Sequence, residues 1–228
     1  SEDILFTIYA KDLIDIVRRL PEKTKIQFII EEKKTYLNTN NNTFELNTFN
    51  HLDFPKLPKT ENSTVVTVKQ EDLKTVVENT SFSMGNQDIR AYLNGLYFEL
   101  NKDSLTVVAT DGHRLAIGEI KQTNKLDEKK TVILPRKAVL ELSKLLAKST
   151  QTDVEIHLSD NYFSLYDTNT KIISRLIDGN FPNYKQVIPT DLSNTIIINR
   201  TDFLSSLQQA SIFVEERTKG VKLVFRDN

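Results

Sequence analysis

Asp111, His113 and Arg114 are the residues of this 228-residue chain best suited to chemistry, because an acid, an imidazole and a guanidinium lie within four positions. An Asp-x-His pair can ligate a metal, and His113 could act as a catalytic base with Asp88 as a second carboxylate. The chain has three His and no Cys, and nothing nearby supplies a third ligand at a usual spacing. A structural interpretation is that Asp111 and Arg114 stabilise a turn by hydrogen bonds. The residues alone leave both interpretations open.

Two strands and a tight turn must position this group. Apolar residues alternate over 105–109 and resume over 115–119, and Asp111-Gly112 interrupts them. Asp-Gly between two apolar runs predicts a tight turn, because Gly tolerates the positive φ that such turns need.

Three motifs carry a resemblance to a known family. They are ATDGHRLA at 109–116, FSMGNQDIRAYLNG at 82–95 and LIDGNFPNY at 176–184. In this order and at these separations, they resemble the bacterial sliding clamp, the beta subunit of DNA polymerase III. The resemblance extends over nearly the whole chain.

The resemblance implies an α+β, DNA-clamp fold of repeated strand-helix-strand-strand-strand units, with helices lining an inner face and antiparallel sheets outside. Residues 1–60 are expected to be the second half of clamp domain I, 61–192 a complete domain II, and 193–228 the first half of domain III. The chain is therefore expected to be a fragment. An internal repeat agrees, since Phe54-Pro55 recurs 127 residues later as Phe181-Pro182.

Apolar periodicity predicts the elements of these units. Residues recurring every three or four positions predict helices within 10–20, 69–79, 135–149 and 199–213. Alternation predicts strands between them, and further strands at 4–9, 195–198 and 222–225.

Composition narrows the class of protein. No apolar run approaches the ~20 residues that cross a bilayer, so we expect no membrane partner. The absence of Cys excludes disulfides and suits a reducing cytoplasm. Only six Gly occur, none in a GxxxxGK[ST] array, so no phosphate-binding loop of that kind is present.

The resemblance also implies a pocket for partner peptides on the outer face. Apolar side chains would form its cavity and cationic ones its rim. The matching positions are Arg90, Tyr92, Leu93, Thr110, Gly112, His113, Arg114, Leu115, Pro182 and Val187. Gln186 and Thr218 depart from the family pattern, which often has Arg at the first position and can have Phe at the second.

The net charge of the predicted helices is positive, as expected for helices that face DNA. The four predicted helices carry ten basic and seven acidic residues, and the rest of the chain carries 20 basic and 24 acidic residues. The positions expected to face DNA are Arg18, Arg19, Lys69, Lys74, Gln87, Tyr92, Arg136, Lys137, Lys144, Lys148 and Arg200. Ala91 replaces an aromatic residue common in the family.

The implied function is that of a processivity factor without catalysis, cofactor or metal. Its expected partners are double-stranded DNA bound without sequence preference, the replicative polymerase subunit, the clamp loader and other clamp-motif proteins. The full-length protein is expected to form a homodimeric ring. Two alternatives are a hydrolase or transferase using Asp111, His113 and Arg114, and a structural repeat module that binds no DNA.

Overall fold

The computed structural model describes residues 4–57, 63–124, 126, 128–148, 152–167, 170–193, 195–214 and 220–225. They belong to two compact units, Ser1–Thr64 and Val65–Asn228. Thr218 lies outside the described residues. Within the described part of the chain, no helix combines the length and apolar character that spanning a bilayer requires.

The first unit is one helix and one small antiparallel sheet. Its elements are α1 (Ala10–Val17), β1 (Gln27–Ile30), β2 (Lys34–Asn38) and β3 (Thr43–Asn47), with strand order β1-β2-β3. The strand predicted at 4–9 is wrong, because Thr7 makes only an isolated bridge to Phe49 there. The helix predicted to Leu20 ends early, since Arg19 and Leu20 donate to carbonyls three residues back rather than four.

The second unit contains the predicted strand-helix-strand-strand-strand order twice. The first half has β4 (Thr64–Lys69), α2 (Gln70–Ser81), β5 (Gly95–Leu100), β6 (Ser104–Thr110) and β7 (Leu115–Lys121). The second half has β8 (Lys130–Pro135), α3 (Arg136–Lys148), β9 (Asp153–Leu158), β10 (Tyr162–Asp167) and β11 (Thr170–Arg175).

The two halves exchange their first strands. One sheet has the order β7-β6-β5-β8 and the other β11-β10-β9-β4. Each sheet therefore takes its last strand from the other half, and neither sheet is complete within its own half. The edges of the two sheets also meet, since the amide of Ile177, just after β11, donates to the carbonyl of Ile133 in β8 at 2.9 Å.

A single core lies between the sheets and the helix pair. Helices α2 and α3 contact each other, α2 packs on β6 and β7, and α3 packs on β5 and β8. The helices bury the stripes that their spacing predicts, which are Leu73, Val76 and Val77 on α2 and Val139, Leu142 and Leu146 on α3. The rings of Phe98 and Phe163 meet in this core with centroids 5.6 Å apart. The halves therefore share one hydrophobic interior.

Helix α4 (Arg200–Ser211) buries none of its residues. Its N-cap is satisfied, because the Asn199 side chain accepts hydrogen bonds from the Thr201 and Asp202 amides. The strands predicted at 195–198 and 222–225 are wrong, because neither segment pairs with a strand within the described residues. Apolar composition favours a strand, but a strand also needs a hydrogen-bonded neighbour.

Candidate binding pocket and nucleic-acid surface

The turn between β6 and β7 is organised by Asp111. Its Oδ1 accepts hydrogen bonds from the amides of His113 (3.0 Å) and Arg114 (3.1 Å), and its Oδ2 pairs with Arg114 Nε at 3.0 Å. Gly112 has a φ of +89°, as the Asp-Gly signal predicts. Burial acts to raise the pKa of Asp111, but these hydrogen bonds outweigh it and the pKa is lowered. The structural interpretation of the turn is confirmed.

The same geometry weakens the chemical interpretation. Both carboxylate oxygens of Asp111 are engaged inside the turn, and the side chain of His113 is exposed. Within the described ranges, no cluster of three or more His, Cys, Asp and Glu side chains could hold a metal ion.

The loop before β5 holds Arg90 against this turn. Asp88 Oδ1 accepts from the amide and Nε of Arg90, and Oδ2 accepts from its Nη2 at 3.0 Å. These hydrogen bonds lower the pKa of Asp88 to about 2. Asn94 fixes the loop from inside, because its side chain accepts from the Asp88 amide and donates to the Asp88 carbonyl.

Gly112 leaves room for the guanidinium of Arg90. A Cβ at position 112 would lie 3.1 Å from Arg90 Nη2, which is too close without movement of the side chain. Glycine at this position therefore serves both the positive φ and the close approach of Arg90. The two motifs are joined at this point.

All ten residues predicted for the pocket line one cavity of about 460 Å³. Leu93 is buried beneath it, Leu115 is half-buried, and Val187 is 68% exposed at its edge. Arg90, His113 and Arg114 carry the donors at the rim. An apolar cavity with a few polar groups around it can bind a small apolar side chain and orient the chain that carries it.

Two further lining residues, Asn183 and Tyr184, were missed from the sequence. They follow Pro182 directly, and Tyr184 begins a short 3-10 helix, Tyr184–Val187, in which it is buried. Their position inside the third motif could have identified them.

The pocket and the helices lie on opposite sides of a sheet. Leu96, Phe98 and Leu100 of β5 belong to the core, on the side where α2 and α3 pack. Successive side chains of a strand point to opposite faces, and Tyr97 contacts Phe181 and Tyr184 on the other side. The segment 181–187, which forms one wall of the pocket, therefore covers the sheet face turned away from the helices. We call it the wall segment.

Helix α3 carries the densest positive charge among the positions expected to face DNA. Lys137, Lys144 and Lys148 are exposed and recur at helical spacing on one face. Glu141 lies among them and pairs with Lys144 at 2.9 Å, which reduces the net charge of this face. Arg136, at the start of the helix, donates to the Met84 carbonyl at 3.4 Å.

The remaining expected positions are spread over several elements. Lys69 and half-buried Lys74 belong to β4 and α2, Arg18 and Arg19 follow α1, and Arg200 begins α4. Gln87 is exposed in the loop before β5 with a φ of +58°. Tyr92, assigned to both the pocket and DNA, lines the pocket.

Comparison with known proteins defines the class. The family model for the DNA polymerase III beta subunit, central domain, matches residues 67–183, and the model for its N-terminal domain matches residues 1–58. The chain belongs to the family of bacterial DNA polymerase III beta subunits, the sliding clamps, and its α+β fold is the clamp fold.

Individual relatives agree with this assignment. The beta sliding clamp of Haemophilus influenzae is 35% identical over 228 residues, which are 100% of this chain and 62% of that protein. The crystal structure of the DNA polymerase III subunit beta from Pseudomonas aeruginosa matches with a TM-score of 0.84 and 32% identity, over 93% of this chain and 58% of that one. A Bartonella birtlesii clamp solved bound to griselimycin matches with a TM-score of 0.82 and 34% identity, over 94% of this chain and 58% of that one. This chain spans about 60% of the length of these relatives.

Proposed function

We propose that this chain acts as part of a sliding clamp, which encircles duplex DNA and holds the replicative polymerase and other partners through the pocket beside Gly112. The observation that carries the proposal is the convergence of three motifs on one cavity in a member of the beta-subunit family. The chain would contribute binding and no catalysis. Such a role would place it in the cytoplasm beside the chromosome.

The pocket suits a short peptide bearing a Leu or Phe side chain. Leu93, Leu115 and Val187 supply apolar surface, and the rim donors can reach the peptide backbone or an acidic neighbour. Weak binding is sufficient for a tether, because confinement on the same DNA raises the local concentration of the polymerase.

Contact with DNA would be ionic and independent of sequence. The face of α3 with Lys137, Lys144 and Lys148 offers exposed ammonium groups, which can attract phosphates without reading bases. A ring formed by two full-length subunits would retain DNA by topology, so modest charge suffices. The clamp loader and other clamp-motif proteins would share the pocket.

Binding of a short synthetic peptide ending in Leu-Phe tests the proposal, with griselimycin as a second ligand. We expect Leu115→Asp to weaken peptide binding at least tenfold, because a carboxylate would enter the apolar cavity. Leu140→Asp is the matched control, since Leu140 is exposed on α3, on the other side of the sheet. Titration calorimetry measures both. Equal affinity in Leu115→Asp and the parent chain would refute the assignment of the pocket.

A further inference from the structure

Tyr97 and Glu99 lie on the outer face of β5. They belong to none of the three motifs, and the proposed pocket gives them no direct role. Their neighbours Leu96, Phe98 and Leu100 enter the core. Tyr97 and Glu99 therefore lie on the face that the wall segment covers, directly behind the pocket.

Tyr97 holds the wall segment by its ring. It stacks on Phe181 with centroids 4.6 Å apart and planes inclined by 12°, and it meets Tyr184 edge-on at 6.2 Å. Phe181 and Tyr184 flank Pro182 and Asn183, both of which line the cavity. The position of this wall thus depends on a ring outside the cavity.

Glu99 adds a charged anchor. Its side chain is only 3% exposed, yet it pairs with Lys129 at 2.8 Å and with Lys185 of the wall segment at 3.4 Å. Asn101 Nδ2 and the Tyr97 hydroxyl also donate to it, each at 3.3 Å. Burial acts to raise the pKa of Glu99, but these partners outweigh it and the pKa is lowered. The carboxylate is therefore charged at neutral pH, with a donor from the wall segment among its partners.

We propose that Tyr97 and Glu99 are positioning residues, which fix the wall segment so that Pro182 and Val187 meet the peptide without reorganisation. This inference rests on the proposed peptide-binding function. Ordering a surface segment during binding costs affinity, and a segment held in place beforehand avoids that cost. Neither residue needs to touch the ligand.

Tyr97→Leu tests the inference, because it removes the ring and keeps an apolar side chain. An aromatic stack of this kind corresponds to about a three- to tenfold effect, so we expect affinity for the Leu-Phe peptide to fall by that factor. Tyr166→Leu is the matched control, since half-buried Tyr166 makes ring contacts with His157 on the other sheet. We expect its affinity to match that of the parent chain.

A double-mutant cycle separates positioning from general destabilisation. Val187→Ala should cost less affinity in the Tyr97→Leu background than in the parent chain, because the wall is already displaced there. Equal costs in both backgrounds would overturn the inference. Glu99→Gln provides a second variant of similar size, and we expect it to weaken binding about twofold or more with the helical circular dichroism unchanged.

The outcomes distinguish the two proposals. Failure of the parent chain to bind either ligand would overturn the pocket function and this inference with it. Binding by the parent chain that both Tyr97→Leu and Glu99→Gln leave unchanged would overturn the inference alone.

Discussion

The two halves of the second unit have the same element order but carry different surfaces. In the first half, a long loop before β5 and the β6–β7 turn meet at Arg90 and Gly112, and the wall segment covers the sheet. In the second half, His157 and Tyr166 occupy the outer face of the sheet, with ring centroids 4.4 Å apart. The two halves therefore share one backbone arrangement. Beside the β7-β6-β5-β8 sheet, the loop before β5, the β6–β7 turn and the wall segment form a pocket.

The helices of the two halves differ in charge. Helix α2 carries Lys74 against Glu71, Asp72 and Glu78, whereas α3 carries four basic residues against Glu141. The loops of the first half thus provide most of the residues that line the pocket, and α3 of the second half carries more positive charge than α2. A repeated fold can carry two different surfaces, because surface residues can change while the shared core is kept.

Removing an aromatic ring from the core should have the largest effect on stability, and the effect should be similar in the two halves. Phe98→Ala and Phe163→Ala each remove a fully buried side chain, so we expect each to lower the free energy of unfolding by about 3–5 kcal/mol. Denaturant titration measures this, with Leu140→Ala as an exposed control expected to stay within about 0.5 kcal/mol. The double variant should lose less than the sum, since the rings touch. Additive losses would show that the two rings do not share one core.

Neutralising α3 tests the division of charge. The triple variant Lys137→Gln, Lys144→Gln and Lys148→Gln should bind a short DNA duplex more weakly. The slope of log affinity against log salt should fall by about two. Three free lysines would each contribute ~0.9 to this slope, but Glu141 already pairs with Lys144 and reduces its contribution. Lys74→Gln on α2 is the control, and its effect should be much smaller. Fluorescence anisotropy from 50 to 200 mM salt gives both slopes. Similar slopes for all the variants would contradict a role for α3.

Gly112→Ala should disturb the pocket rim while leaving the second half unchanged. The positive φ costs about 1 kcal/mol for alanine, and the new methyl group displaces Arg90. Thermal unfolding and peptide titration measure the two effects. Adding Arg90→Ala should remove the steric part and leave the backbone part. Amide exchange in β9–β11 should match the parent chain, and faster exchange there would show that the change is not local.

The smallest expected effect concerns the pH dependence of the first-half loop. The pKa of Asp88 is lowered from 3.8 to about 2, so its charged form stabilises the folded loop above about pH 4 and this contribution declines as the pH falls toward 2. The difference in unfolding midpoint between the parent chain and Asp88→Asn should therefore shrink over that range. A difference that stays constant between pH 6 and pH 2 would mean that the pair with Arg90 does not stabilise the fold.

The sequence predicted the helices and the Asp111 turn from local patterns, and the ten lining residues from a resemblance to a known family. The first two follow from interactions within a few positions, such as apolar stripes at helical spacing or a carboxylate that caps its own turn. The ten residues followed from resemblance, because their motifs are specific. The strands predicted at 4–9, 195–198 and 222–225 were wrong, since pairing depends on a neighbour that local composition does not encode.

Only the tertiary structure decided how distant segments meet. The exchange of β4 and β8 between the sheets, the guanidinium of Arg90 on Gly112, and the stack of Tyr97 on Phe181 each join residues from different segments of the chain. The number of residues between two such groups does not predict the distance between them, because that distance is set by packing against a common core. The sequence therefore predicted ten of the residues that line the cavity, and the fold determined which side chains pack against its wall.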